Sequence, residues 1–182
     1  MASDKKNKNK KDNNQRGEWR FDESVLSCCP LTKKFPGQYL PVKSILKTEK
    51  YKGSTPFEKQ RALCVDGVEI IMAKSEGRNR RSTTDMAIGV TKINSADKRI
   101  RLVECKFDVK NTNRKTIEDL IDKDKKTRLY FDFGRIILPY FVVLLGNDKY
   151  YQQEMRFIKN GFMNSPDCEV MTVQGFYDLY FK

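Results

Sequence analysis

The chain has 182 residues, with 36 Lys and Arg against 24 Asp and Glu, a net charge of +12. That length allows one domain with a real core, and the basic excess points to a polyanionic partner, nucleic acid before anionic membrane. There is no histidine, which excludes Ser-His-Asp and Cys-His catalysis, HExxH metalloproteases and His-metal nucleases.

Any enzyme here works through carboxylates, lysine, tyrosine, cysteine or a metal. The five cysteines, an odd number without a C-x-x-C pair, fit reduced thiols in a cytoplasmic protein. The longest apolar run, around Pro139 to Leu145, is far too short to span a membrane. The N-terminus is charged and has no apolar core of a signal peptide, so no secretory leader and no membrane partner are expected.

Residues 1–16, rich in Lys and Asn, read as a disordered basic tail. Residues 17–53 hold scattered apolar residues and prolines at 30, 36 and 41, and read as an N-terminal arm packed on the main domain, 54–182, or equally as an arm that touches substrate through Lys33, Lys34, Lys43, Lys47, Lys50 and Lys52. Thr55-Pro56-Phe57-Glu58 combines a Thr cap, a Pro at the first helical position and a Glu at the third, so a helix is expected over 54–66, ending at Asp66-Gly67. In this reading Glu58 closes a capping box. Val68 to Ala73, VEIIMA, reads as a short strand, with a continuous helix from Pro56 to Lys74 as the competing reading. Ser75 to Ser82, SEGRNRRS, is a basic loop, and Arg78, Arg80 and Arg81 in it are candidate phosphate contacts.

A hairpin follows. Met86, Ile88 and Val90 alternate in its first strand, Ile100 and Leu102 mark the second, and Asn94 to Lys98 supplies the turn. Beyond it, 111–128 reads as a helix with Ile117, Leu120 and Ile121 on one face; Lys110 and Arg114 at its start join the candidate nucleic-acid contacts. Tyr140 to Leu145 is a continuous apolar run of the kind a central strand covered on both faces shows. A helix over 148–159, a strand over 168–173 and a closing helix over 175–181 complete the chain.

The chemistry concentrates in the hairpin. Asp85 opens the first strand, and Glu104 and Lys106, two apart on the second, share a face. Carboxylates from two strands can hold Mg²⁺, a hard cation that prefers oxygen ligands, with Mn²⁺ as a substitute. Such a metal polarises a phosphate and lowers the pKa of bound water, and the lysine orients that water or stabilises developing charge. The backbone carbonyl of Cys105, between the two side chains, is a further candidate ligand. The D/E-x-K spacing alone is common, at Asp4/Lys6, Glu104/Lys106, Asp108/Lys110 and Asp124/Lys126. Only Glu104/Lys106 sits in an apolar strand with a strand-borne Asp upstream. The competing reading is a cross-strand salt bridge at a sheet edge.

Asp85 followed by Glu104-Cys105-Lys106 resembles the D…(D/E)-x-K signature of the PD-(D/E)XK, or restriction-endonuclease-like, nuclease superfamily. Within it the layout is most similar to archaeal Holliday-junction resolvases, with Gly53 and Glu58, VEIIMA, SEGRNRRS and Asp85 in the matching places. The family's Pro before the Asp is Thr84 here, and the stretch from Asp85 to Glu104 is longer than in resolvases. The resemblance implies an α/β fold with an αβββαβ core, a central mixed sheet flanked by helices, and makes 54–182 nuclease-like. It adds Glu58 to the acidic site, or Glu69 if the first helix runs on.

The function expected is a Mg²⁺-dependent endonuclease hydrolysing phosphodiester bonds in DNA, in restriction or defence or in branched-DNA processing, with RNA as another substrate to test. Asp85, Glu104, Lys106 and Glu58 would be catalytic. The alternatives are a non-catalytic nucleic-acid-binding module on the same fold, and a structural subunit that uses the aromatics of the C-terminal third as an interface. Dimerisation is common in the resembled family, which makes a homodimer one option.

Overall fold

The computed structural model describes residues 18–107, 114–131, 137–146 and 168–182. The basic tail, Lys110 and the expected helix over 148–159 lie outside the described residues. In chain order the elements are β1 (Trp19–Phe21), α1 (Glu23–Ser27), α2 (Pro30–Lys34), β2 (Tyr39–Pro41), α3 (Val42–Thr48), β3 (Arg61–Cys64) and α4 (Val65–Ser75). There follow β4 (Met86–Lys92), β5 (Lys98–Lys106), α5 (Arg114–Arg128), a 3₁₀ turn (Leu129–Phe131), β6 (Phe141–Leu145), β7 (Cys168–Thr172) and α6 (Val173–Tyr180).

All seven strands form one mixed sheet, ordered β2-β3-β4-β5-β6-β7, with β1 paired to the far half of β4. Strands β1 to β5 pair antiparallel, and β5-β6-β7 run parallel. Residues 18–53 therefore supply two strands of the main sheet and three helices against it. The α/β class and the mixed sheet flanked by helices are as expected. From Arg61 to Leu145, however, the order of the described elements is βαββαβ, with one strand ahead of the first helix.

The hairpin forms where its alternation places it. Met86 pairs with Val103 and Thr91 with Lys98, and Asn94, at φ 58°, takes the left-handed turn position that Asn tolerates. Gly89 is required in β4 because α1 crosses there. A Cβ on it would stand 2.5 Å from the Asp22 carbonyl oxygen and 2.5 Å from Val25 Cβ.

The sheet separates two cores. Ala87, Ile100, Leu102, Val143 and Leu145 face one, with Val25, Leu26 and Leu31 of α1 and α2, Val65 and Val68 of α4, and Ile117 and Leu120 of α5. Met86, Ile88, Val103, Val142 and Leu144 face the other, with Val42, Ile45 and Leu46 of α3 and Val173, Phe176 and Tyr180 of α6. All five residues of β6 are buried, as expected of a strand covered on both faces.

Two expectations fail between 54 and 75. The Thr55 capping box does not start a helix. Phe57 is 2 % exposed and sits 5.0–6.2 Å, centroid to centroid, from Phe176, Tyr177 and Phe181, so this loop is fixed by packing onto α6. The VEIIMA run is not a strand but the middle of α4. Val65, Val68, Glu69, Met72 and Ala73 follow helical spacing toward the core, while Ile70 and Ile71 stand 49 % and 41 % exposed. Among the described residues, no helix is long and apolar enough to cross a membrane.

Candidate active site

β5 sends Ile100 and Leu102 into the core under α4 and α5, and by alternation Glu104 and Lys106 emerge on that same face. One residue before the first β4 pair, Asp85 stands beside Glu104. The Cys105 amide donates to Asp85 Oδ2 at 2.5 Å, and the Asp85 carbonyl accepts from Val65 N–H at 3.0 Å. This second bond ties the start of β4 to the start of α4 and brings Asp66 to the site. Glu49, at the end of α3, completes the group: carboxylate oxygens of Glu49, Asp66 and Asp85 lie within 4.8 Å of one another.

Two lysines face these acids. Lys106 Nζ pairs with Glu104 Oε1, and Lys123 Nζ on α5 donates to the same oxygen at 2.7 Å. Glu104 is fully buried, Asp85 is 4 % exposed, and Glu104 Oε2 is buried with no partner among the described residues. An ionised carboxylate so placed is costly unless something positive completes its surroundings.

The protonation pattern tells the same story. Burial, then the Glu104 and Glu49 charges, pushes the Asp85 carboxyl up to about 8. Burial and the neighbouring Asp66 and Glu104 charges raise Glu49 as well. Burial pulls the Lys123 ammonium down, but the Glu104 and Asp85 charges outweigh it and its pKa rises. Burial also raises the Cys64 and Cys105 thiols, each beside this acidic group, so neither supplies a thiolate.

The segment that delivers Asp85 is pinned along its length. Glu69, fully buried, takes Arg78 through both of its oxygens at 2.6 and 3.0 Å, the Arg81 amide at 2.5 Å and the Tyr130 hydroxyl. The Arg78 hydrogen bonds hold the Glu69 carboxyl down at about 2. Thr83 Oγ1 donates to Asp66 at 2.7 Å, Arg80 pairs with Asp66, and the Thr84 amide donates to Thr127 Oγ1 on α5 at 2.8 Å.

No family model, curated protein or solved structure matches the chain.

Asp85, Glu104 and Lys106 are thus brought together. Glu58 is not among them. It is exposed on the loop before β3, and the acids grouped with Asp85 are Glu49 and Asp66. Glu69 is not a substitute, since its oxygens are used in clamping the loop. Cys105 enters through its amide, as a donor to Asp85. Arg78 is committed to Glu69 and Glu76, Arg80 stands at the cluster through Asp66, and Arg81 is exposed. Lys110 lies outside the described residues, as does the side chain of Arg114. Reading the sequence missed Glu49, Asp66 and Lys123. Lys123 carried a signal, lying three residues after buried Leu120 and four before buried Thr127, on the inward side of α5.

Proposed function

We propose that the protein is a metal-dependent phosphodiesterase acting on nucleic acid, an endodeoxyribonuclease in the first instance. The observation that carries this is the convergence of Glu49, Asp66, Asp85 and Glu104 with Lys106 and Lys123 on one face of the sheet. The residues fit a hard divalent cation. Three carboxylates share a space of cation size, and Asp85 holds a proton that a cation would displace. Glu104 Oε2 is a buried acceptor with no donor. Asp85, Asp66 and Glu49 would hold Mg²⁺ or Mn²⁺, with Glu104 beside them.

Bound there, the cation would supply Lewis-acid polarisation of a phosphate and a more acidic water. The chain's own residues do the rest. Lys106 and Lys123 would be two donors to the charge that develops on a phosphorane-like transition state. Glu104 holds both ammoniums in position. The Cys105 amide fixes the rotamer of Asp85. The charge of +12 draws a polyanion to the surface and makes binding salt-dependent. A reduced, cytoplasmic setting agrees with the free thiols of Cys28, Cys29, Cys64 and Cys105.

The test is cleavage of plasmid, linear duplex, branched DNA and RNA with Mg²⁺ or Mn²⁺ and with chelator, beside Lys106→Ala. Metal-dependent cutting that the variant loses is the expected result. Cutting retained in Lys106→Ala would overturn the mechanism. The ion pairs that already tie Glu104 to Lys106 and Lys123 also suit a binding module without chemistry. In that reading, salt-sensitive binding survives chelation and no divalent metal produces cleavage.

A further inference from the structure

A cavity of about 410 Å³ opens between α2, α4 and the Leu129–Phe131 turn, walled by Leu31, Met72, Leu129 and Tyr130, with Lys34 and Arg81 beside them. That volume is within the range of small-molecule sites, ~300–1,000 Å³. Lys34 and Arg81 are exposed, and Leu129, at the rim, is 68 % exposed. The Tyr130 hydroxyl is already held by Glu69 and the residue is 6 % exposed, so the ring is fixed and presents only a small part of its surface to the cavity.

The cavity is mechanically continuous with the acidic cluster. Asp66, Glu69 and Met72 stand at i, i+3 and i+6 on α4. At about 1.5 Å of rise per residue, Met72 is ~9 Å along the helix from Asp66. Glu69, between them, takes the Arg81 amide and the Tyr130 hydroxyl, and Arg81 is four residues from Asp85. A strand laid from the cluster along α4 covers that rise in about three nucleotides, at ~3.4 Å per stacked step.

We propose that this cavity is a nucleobase subsite: it takes one unpaired base of the bound strand against Tyr130, Met72 and Leu129, while Lys34 and Arg81 hold the flanking phosphates. An aromatic ring among apolar side chains, beside two cations, is the combination by which single strands are held without sequence readout. A base inside a duplex cannot enter such a pocket without leaving its stack. The substrate class is accordingly a nucleic acid with single-stranded nucleotides beside the scissile phosphate, such as a flap, a branch or a free strand. The location of the strand rests on the nuclease reading.

The experiment uses the full chain in chelator with oligothymidine strands carrying 2-aminopurine at successive positions, free and annealed to a complement. The expected result is an emission change confined to one or two adjacent positions of the free strand and absent in the duplex. Leu129→Ser and Lys34→Gln, both at exposed positions, should keep the wild-type circular dichroism and weaken free-strand binding at least ~5-fold. Position-specific emission with no Mg²⁺-dependent cleavage would uphold the subsite and overturn the nuclease. Lys106-dependent cleavage with uniform emission, or with both variants binding as wild type, would overturn the subsite alone. No oligonucleotide binding at all would overturn both.

Discussion

Lys123 on α5 and Glu104 on β5 are joined at 2.7 Å across the covered face of the sheet, through the carboxylate oxygen that Lys106 also uses. One acid thus organises two cations from different elements, and its second oxygen remains buried without a partner. Removing Lys123 should lower the cleavage rate about 100-fold, the scale of losing one preorganised donor. Lys123→Gln keeps the length of the side chain and removes the charge. Single-turnover rates under saturating Mg²⁺ check it, with circular dichroism to establish that the fold is unchanged.

The acids grouped by the fold should matter where Glu58 does not. Glu49→Gln, Asp66→Asn and Asp85→Asn should each weaken Mg²⁺ binding by more than about tenfold, the scale on which metal sites respond to such losses. Glu58→Ala should cleave as wild type, because Glu58 is exposed on a loop and is not one of the grouped acids. Metal titrations monitored by cleavage rate distinguish the four variants.

Asp85 makes stability depend on pH in a definite sense. Its folded pKa is raised from 3.8 to about 8, so the folded state holds the proton more tightly than the unfolded chain. That contribution is fully present below about pH 4 and is lost as pH rises toward about 8. In chelator the melting temperature should therefore carry a falling component across this window, and Asp85→Asn should remove it. Added Mg²⁺ should stabilise the protein more at pH 8 than at pH 5, because at pH 5 it must first displace the proton. Calorimetry at the two values, with and without metal, checks both effects.

Glu69 has the opposite sign. Its folded pKa is lowered from 4.5 to about 2, so its stabilisation is present above about pH 4.5 and lost as pH falls toward 2. Glu69→Ala strips the buried partner from Arg78 and from the Tyr130 hydroxyl, and should cost about 3 kcal/mol. Urea unfolding at neutral pH measures that cost, and a flatter acid limb in the variant confirms its origin.

Phe57 anchors the loop that precedes β3. Replacing it with Ala should cost about 3–5 kcal/mol, as for other buried aromatic rings. Thr55→Ala should cost well under about 1 kcal/mol, since Thr55 caps no helix. Denaturant midpoints of the pair decide whether tertiary packing or local capping governs this segment.

The hairpin was legible because its signals are local. Met86, Ile88 and Val90 alternate, Asn94 marks the turn, and the two-residue period then fixes Glu104 and Lys106 on one face with Asp85 opposite. The stretch from Thr55 to Ser75 was not, because its local cues conflict with its surroundings. The capping pattern at Thr55 yields to the packing of Phe57. The buried stripe of α4 is interrupted by an acid, Glu69, while two isoleucines face out, so the run reads as uniformly apolar rather than helical. Asp66 looked like a helix stop and is the second residue of a helix. Glu49 carries no local signal at all, since only the folding of α3 against the sheet brings it to Asp66 and Asp85.

Glu49, Asp66, Asp85, Glu104 and Lys123 reach one place from five separate elements or their ends. Such a site has no partly folded version. A fragment or an intermediate that lacks α5 would carry mutually repelling acids without the neutralising charge of Lys123. Cation affinity is then a readout of cooperative assembly: it should vanish in a single step with the whole sheet, and a divalent ion added during refolding should act late, selecting chains on which α5 has already docked.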